Sequence, residues 1–246
     1  MFETLGLGLV QVGLVTLIVV TAYTFRGVAG FGSGLIAIPL LVLILPISVV
    51  VPMMVLLDYT ASVTHSIKHR EATQWRIIWP LLPFTVIGVL LALFLFKTVD
   101  TNLLVKSLGV FILLFALYNL FAPKPRRQGS VLWAAPAGTL GGLVGTLFGT
   151  GGPLYVIYLQ LRHLNKTAFR ATVASIFMID GGIRVAGFLL SGFFTRETLL
   201  LAVSALPLML LAMYLGGHIH TTISQTTFHR AIGVLLLGSG TALLVK

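Results

Sequence analysis

Charged residues inside long apolar stretches are the first candidates for chemistry in this sequence. There are four of them: Arg26, Asp58, Asp180 and Arg184. A charge in such surroundings is costly unless it is paired or faces water, so each is a candidate for function. Asp180 and Arg184 are four residues apart, which permits an ion pair on one helix and leaves a structural and a functional role open. For Asp58, a neutral acid and a proton-coupling carboxyl are both open.

Two glycine-rich motifs interrupt apolar sequence and could bind an anion. They read Gly30-Phe31-Gly32-Ser33-Gly34 and Gly149-Thr150-Gly151-Gly152-Pro153. Where a helix is broken within a membrane, its second piece begins with a new N-terminus. The free N–H groups and the positive dipole end of that N-terminus can point at an anion. Glycine lets an anion approach the backbone, and the hydroxyls of Ser33, Thr146 and Thr150 add donors. The alternative is close helix packing through small residues, which we favour for the other glycines.

Arg26 lies four residues before the first motif, so on a helix it is one turn away and could hold an anion with its fork of donors. The alternative is an anchor at the membrane interface. His65 ends an apolar segment, where it could carry protons or simply lie at the interface. The chain has no cysteine, and we find no phosphate-loop, nucleophile-elbow or HExxH motif. The sequence therefore predicts no enzyme, no metal site and no cofactor.

Membrane helices must position these residues. Of the 246 residues, 57% are hydrophobic and 9% are charged, and the mean hydropathy is +1.05. Soluble proteins have about 25% charged residues. The sequence predicts an all-α, polytopic integral membrane protein with about eight hydrophobic segments, namely 5–45, 47–67, 77–96, 103–122, 131–161, 171–194, 198–217 and 229–245. The first and fifth are too long for one span, so each is expected to be a broken helix, a re-entrant hairpin or a span plus a half-span, interrupted at its glycine-rich motif.

Matching features in a common order indicate a duplication. The residues Gly30, Gly32, Ser33, Asp58 and Pro83 match Gly149, Gly151, Gly152, Asp180 and Pro207. The separation between the two copies is 119 residues at the glycine motifs, 122 at the aspartates and 124 at the prolines. The sequence thus predicts two related halves, with a first membrane repeat over 1–122, a polar linker over 123–130 and a second membrane repeat over 131–246.

The net charge of +10 arises mostly in short loops beside the apolar segments. This pattern favours orientation by the positive-inside rule and contact with anionic lipid, and it argues against nucleic acid as a partner. If each of the two interrupted segments returns to the membrane face from which it entered, ten basic residues fall on one face and four on the other. The four are Lys97, Lys106, Arg196 and Lys246. We then expect the loops 68–76, 124–127 and 162–170 to be cytoplasmic, both termini to face outward and the two halves to be inverted repeats.

The first motif continues into an apolar half-helix with a proline, as Gly30-Phe31-Gly32-Ser33-Gly34-Leu35-Ile36-Ala37-Ile38-Pro39-Leu40, and its second copy reads Gly149-Thr150-Gly151-Gly152-Pro153-Leu154. In these motifs, in length and in duplication, the sequence resembles the TauE/SafE sulfite exporter family over nearly the whole chain. The first motif of that family often has consecutive glycines where this chain has Gly32-Ser33-Gly34. The resemblance implies transport of sulfite, organosulfonates or other sulfur oxyanions, and a place in the bacterial inner membrane.

The combined expectation is a secondary transporter that moves a small sulfur-containing anion through a central site between the two helix breaks. The expected substrate-binding residues are Arg26, Gly30, Gly32, Ser33, Gly34, Thr146, Gly149, Thr150, Gly151 and Gly152, and the expected coupling or structural charges are Asp58, His65, Asp180 and Arg184. The alternatives are a transporter or channel for another small anion, such as a carboxylate, and a membrane scaffold without transport. Coupling to protons or cations and the oligomeric state are left open.

Overall fold

A computed structural model describes residues 8–121, 129–218 and 225–245, and every regular element in these ranges is helical. Short 3-10 turns cover 70–72 and 131–133. The α-helices are α1 (Leu9–Ala29), α2 (Ser33–Val42), α3 (Ile47–His69), α4 (Trp75–Ile78), α5 (Leu82–Thr98), α6 (Thr101–Phe121), α7 (Ala134–Phe148), α8 (Gly152–Gln160), α9 (Lys166–Leu190), α10 (Arg196–His218) and α11 (Gln225–Val245).

Six helical segments in the described part of the chain are long and apolar enough to cross a membrane. They lie in α1, α3, α6, α7 with the turn before it, α9 and α10. Three further apolar stretches are shorter, namely Ser33–Val42, Leu82–Thr98 and Leu236–Val245. The chain is thus an all-helical polytopic membrane protein, and the count of eight segments stays a prediction. The predicted segment 5–45 contains both α1 and α2, and the predicted segment 131–161 contains both α7 and α8.

The helices form two compact units, which we describe separately. Unit 1 comprises Met1–Met53, Asp100–Pro123 and Phe194–Lys246, and unit 2 comprises Met54–Val99 and Lys124–Phe193. In unit 1, α1 packs on α10 and α2, while α11 packs on α6 and α2. In unit 2, α7 packs on α5 and α8, while α9 packs on α4, α5 and α8.

Each unit therefore takes helices from both halves of the sequence. This grouping by contact is a different division of the chain from the predicted repeats, whose boundaries stay a prediction. Of the predicted linker, residues 122–128 lie outside the described residues.

Helices α5 and α7 cross at backbone contact in unit 2, because glycines face the crossing. A Cβ atom at Gly138 would lie 2.6 Å from the carbonyl oxygen of Leu81. Cβ atoms at Gly142 and Gly88 would overlap the carbonyl oxygens of Thr85 and Thr139. Gly138 and Gly142 are four residues apart, the small-residue spacing that lets membrane helices approach closely. Dispersion between the two backbones stabilises such a crossing, since lipid supplies no hydrophobic driving force.

The crossing of α1 with α10 in unit 1 likewise depends on glycines that face the partner backbone. A Cβ atom at Gly27 would lie 2.9 Å from the backbone nitrogen of Gly217, and one at Gly216 would lie 2.9 Å from the carbonyl carbon of Thr24. Each unit thus contains one long helix fixed to a partner through glycines on both sides. Each of these long helices, α1 and α7, also packs on the short helix that follows it.

The short helices α2 and α8 lie in the interior of their units. Nine of the ten residues of α2 are buried, and α8 buries five of its nine residues. Ten residues of α-helix extend for about 15 Å, roughly half of the hydrocarbon thickness. A short helix that is apolar on all sides is expected inside a protein, where neighbouring helices surround it.

The close crossing predicts that a single methyl group at Gly142 destabilises the protein. In Gly142→Ala the new Cβ atom meets backbone, which cannot rotate away, so we expect a cost of about 1–3 kcal/mol in the free energy of unfolding. The control is Gly238→Ala in α11, where a Cβ atom meets nothing within 4 Å. There, alanine should be neutral or stabilising, because it is the better helix former. Thermal unfolding in detergent measures both, and equal melting temperatures would contradict the crossing.

Candidate functional site

The first helix break lies in unit 1 between the end of α1 at Ala29 and the start of α2 at Ser33. Gly30 has a φ of +85° and Gly32 a φ of +96°, conformations that are costly for residues with a side chain. The Gly30 N–H closes α1 by donating to the carbonyl oxygen of Arg26 at 2.7 Å. Gly32 is the N-cap of α2. The two glycines thus let the chain leave one helix and begin the next within three residues.

A guanidinium group lies at this first break. The Arg26 side chain is only 7% exposed, and its Nη1 atom donates to the Ser33 hydroxyl at 3.1 Å. Ser33 is buried and is the first residue of α2. Arg26 lies in the last turn of α1, where the negative end of the helix dipole stabilises a cation. Its guanidinium thus joins the C-terminal end of α1 to the N-terminal end of α2.

The second helix break lies in unit 2 between the end of α7 at Phe148 and the start of α8 at Gly152. Gly149 ends α7 with a φ of +62°. Thr146 is 0% exposed and Thr150 is 2% exposed. Within the described residues, neither hydroxyl oxygen has a hydrogen-bond partner. A buried polar group without a partner costs about 1–3 kcal/mol, so both hydroxyls are available to a ligand that satisfies them.

A buried polar network joins four helices beside this second break. Asp180 and Arg184 form an ion pair on α9. The Tyr155 hydroxyl, on α8, donates to Asp180 Oδ1 at 3.0 Å and lies 3.4 Å from Thr85 Oγ1 on α5. Arg184 Nη1 donates to the carbonyl oxygen of Gly145 on α7 at 3.0 Å. The pair is therefore more than a local neutralisation, because it links α9 to both helices that flank the break.

Arg184 caps the C-terminal end of α7. Cationic side chains that bond the last carbonyls of a helix stabilise it and complement the negative end of its dipole. Glycine at position 145 makes this contact possible, since a Cβ atom there would lie 2.7 Å from the guanidinium carbon of Arg184. Glycine at position 141 similarly admits the Tyr155 ring, which would lie 2.5 Å from a Cβ atom at that position.

The predicted residues divide into two groups. Arg26, Gly30, Gly32, Ser33 and Gly34 lie together at the first break, and Thr146, Gly149, Thr150, Gly151 and Gly152 lie together at the second. Their roles as ligands stay predictions. Asp180 and Arg184 lie beside the second break. No cluster of three or more His, Cys, Asp or Glu side chains that could hold a metal occurs in the part of the chain that the structure describes.

Asp58 lies on α3 in unit 2 and is half-buried. Its backbone carbonyl accepts a hydrogen bond from the Ser62 hydroxyl at 2.7 Å. The next residue, Tyr59, packs on α9, where its ring would lie 3.2 Å from a Cβ atom at Gly181. Asp58 therefore occurs near the α9 segment that carries Asp180. The side chain of His65 lies outside the described part of the structure.

Sequence reasoning missed Gly145 and Tyr155. A signal for Gly145 was present, because it occupies the position 119 residues after Arg26 and so corresponds to it in the second copy. A guanidinium thus contacts the helix before each break, but Arg26 comes from that helix and Arg184 comes from α9. Tyr155 carried no signal, since a tyrosine in an apolar half-helix is as easily explained by packing.

Comparison with known proteins gives consistent matches. The profile of the family described as Sulfite exporter TauE/SafE matches residues 15–243. "Probable inner membrane transporter protein TsaS" of Comamonas testosteroni is 30% identical over 195 residues, which cover 78% of this chain and 81% of the relative. "Probable sulfite/organosulfonate exporter TauE" of Cupriavidus necator is 25% identical over 232 residues, with 90% and 89% covered. No solved structure matches the chain significantly.

The network beside the second break predicts coupled effects of mutation. Asp180→Asn and Arg184→Gln should each lower the free energy of unfolding by about 3–5 kcal/mol, because each leaves a buried charge without its partner. The double variant should cost less than the sum of the two. Thermal unfolding in detergent gives the three values. The exposed residues Glu197 and Arg196 provide a control, in which replacement by Gln should change stability by at most about 0.5 kcal/mol. Additive costs for Asp180 and Arg184 would contradict the network.

Proposed function

The chain belongs to the TauE/SafE sulfite exporter family, and from this premise we propose that it is a secondary transporter for sulfite or an organosulfonate. Its family is one of membrane transporters, and its own fold is a polytopic helical one. The observation that carries the proposal is the pair of glycine breaks, each of which provides groups suited to an anion. The relatives described as a sulfite/organosulfonate exporter and as an inner membrane transporter support the substrate class and the bacterial inner membrane.

At the first break, we assign Arg26 to direct contact with the oxyanion. A guanidinium donates two parallel hydrogen bonds to a planar or tetrahedral oxyanion, and such charge-assisted bonds are shorter and stronger than neutral ones. Ser33 holds the guanidinium at 3.1 Å and begins the helix whose dipole also attracts the anion. Gly30 leaves open space, since a Cβ atom there meets nothing within 4 Å.

At the second break, we assign the anion to neutral donors. The groups that we assign to it are the hydroxyls of Thr146 and Thr150 and the Gly152 N–H at the start of α8. Asp180, Arg184 and Tyr155 position this break by joining its helices, so they act without touching the substrate. Arg184 in particular is occupied by Asp180 and by the Gly145 carbonyl.

Two features support the duplication and the inverted arrangement of the repeats. Helix α1 of the first half packs on α10 of the second half, and α7 of the second half packs on α5 of the first half. This is the pattern expected if α1 is equivalent to α7 and α5 to α10, with each half packing its helix on the other half. The basic loops 68–76, 124–127 and 162–170 fall on one face only if the interrupted segments re-enter. We therefore place these three loops in the cytoplasm.

Cysteine labelling tests this orientation, because the native chain has no cysteine. Ser130→Cys and Lys166→Cys should both resist a membrane-impermeant thiol reagent added to intact cells, and both should react once the membrane is permeabilised. Labelling of Lys166→Cys from outside, together with protection of Ser130→Cys, would instead require eight crossings and parallel halves.

Flux into proteoliposomes tests the proposed function. We expect transport of sulfite or of an organosulfonate such as sulfoacetate above that in protein-free liposomes, with less transport of acetate. Preference for acetate would indicate a transporter for carboxylates, and no flux of any anion would indicate a scaffold. Arg26→Ala should abolish anion binding, and Arg26→Lys should weaken it, because lysine keeps the charge but lacks the planar fork. Arg196→Ala, which removes an exposed cation, is the matched control and should transport normally. Wild-type affinity in folded Arg26→Ala would exclude this residue from the site.

A further inference from the structure

The charges near the second break of unit 2 provide no net positive charge for a ligand. Three charge-bearing residues lie buried or half-buried in the middle of the described helices of this unit, namely Asp58, Asp180 and Arg184. The charge of Arg184 is compensated by its ion pair with Asp180. Asp58 is either neutral or negative. The sum is therefore zero or below, so these three mid-helix residues provide no excess positive charge to an anion at this break.

The groups that remain for an anion are neutral. They are the unpartnered hydroxyls of Thr146 and Thr150, together with the positive dipole end and the Gly152 N–H at the start of the nine-residue helix α8. Pro153 has no N–H, and the Leu154 N–H donates to the carbonyl oxygen of Gly151 at 3.2 Å. Hydroxyls and helix dipoles attract an anion with an energy that grows in proportion to its charge. The cost of removing the anion from water grows with the square of its charge, so it is about fourfold higher for a dianion than for a monoanion of similar size.

This comparison decides which charge state the break accepts. Doubling the charge doubles the attraction and quadruples the cost, and a compensating cation would be needed to restore the balance. We propose that the second break accepts monoanions and rejects dianions, so that organosulfonates and hydrogensulfite enter this break and the sulfite dianion and sulfate do not. This inference rests on the proposed function and specifies the substrate class of the same site.

Sulfite provides an internal test, because hydrogensulfite loses its proton near neutral pH, whereas methanesulfonate is a monoanion and sulfate a dianion at every pH used. Flux of the three anions would be measured in proteoliposomes with equal pH on both sides, from about pH 6 to about pH 8.5. Flux in protein-free liposomes is subtracted at each pH. Methanesulfonate corrects for any effect of pH on the protein itself.

We expect the ratio of sulfite flux to methanesulfonate flux to fall about tenfold for each pH unit above the pKa of hydrogensulfite. Sulfate flux should be lower than methanesulfonate flux at all pH values. A constant sulfite ratio across the pH range, or sulfate that moves as fast as methanesulfonate, would overturn the inference while the proposed function stands. Absence of flux for all three anions would overturn both.

A variant that changes the buried charge tests whether charge is the cause of the discrimination. Asp180→Asn retains an oxygen that can accept from Tyr155 but removes one negative charge, which leaves Arg184 in excess. The ratio of sulfate flux to methanesulfonate flux should then rise several-fold, and a ratio within one protein is independent of the amount inserted. Asp100→Asn is the matched control, since it is the same change at an exposed N-cap, where asparagine caps equally well. Its ratio should equal that of the wild type.

The network makes Asp180→Asn a destabilising change, so Asp58→Asn is made in parallel as a second way to remove a negative charge from the same set. The ratio is measured for each variant that elutes as a monodisperse species. A raised ratio in either folded variant supports the inference. An unchanged ratio in folded Asp180→Asn would overturn it, because the second break would then discriminate by something other than charge. If neither variant folds, the wild-type sulfite profile alone decides the question.

Discussion

The constraint on which this structure depends is that lipid cannot hydrogen-bond to a free backbone group. A continuous helix meets this constraint alone, but a helix broken at a glycine motif does not. The breaks after α1 and α7 expose helix ends that must be satisfied by protein or by a ligand. At the C-terminal ends of α1 and α7 the protein supplies the partners. The Gly30 N–H donates to the Arg26 carbonyl oxygen, and the Arg184 guanidinium donates to the Gly145 carbonyl oxygen. At the N-terminal end of α2, and likewise at that of α8, the partner that we propose is a bound anion.

Rigid helix pairs hold these breaks in place. The glycine crossings of α1 with α10 and of α5 with α7 leave no space for a methyl group. Each crossing fixes the long helix that precedes a break, and each short helix packs back on that long helix. The position of the proposed anion-binding groups is therefore set by backbone contacts, which vary less than contacts between flexible side chains. In unit 2 the Tyr155, Asp180 and Arg184 side chains add a second set of links between α7, α8 and α9.

The sequence predicted the helical class. It also contains glycine motifs at the positions where α1 and α7 end, and an i, i+4 spacing of Asp180 and Arg184 that permits an ion pair. These features depend on local composition and spacing, which the sequence displays directly. It did not predict that Arg184 bonds the Gly145 carbonyl or that Tyr155 bonds Asp180, because both contacts join helices that are separate in the chain. The grouping of helices from both halves into each unit is likewise a tertiary property. Exposed leucines and glycines on a helix do not identify which other helix they will meet.

The pairing of α1 with α10 has a consequence for biosynthesis. Leu9–Ala29 is synthesised well before Arg196–His218. In the interval between them, Gly27 lacks the backbone that it contacts in the finished protein. Contacts between such distant segments form late and slow the folding of a chain. Assembly of unit 1 therefore waits for α10, because α1 has its glycine partner only then.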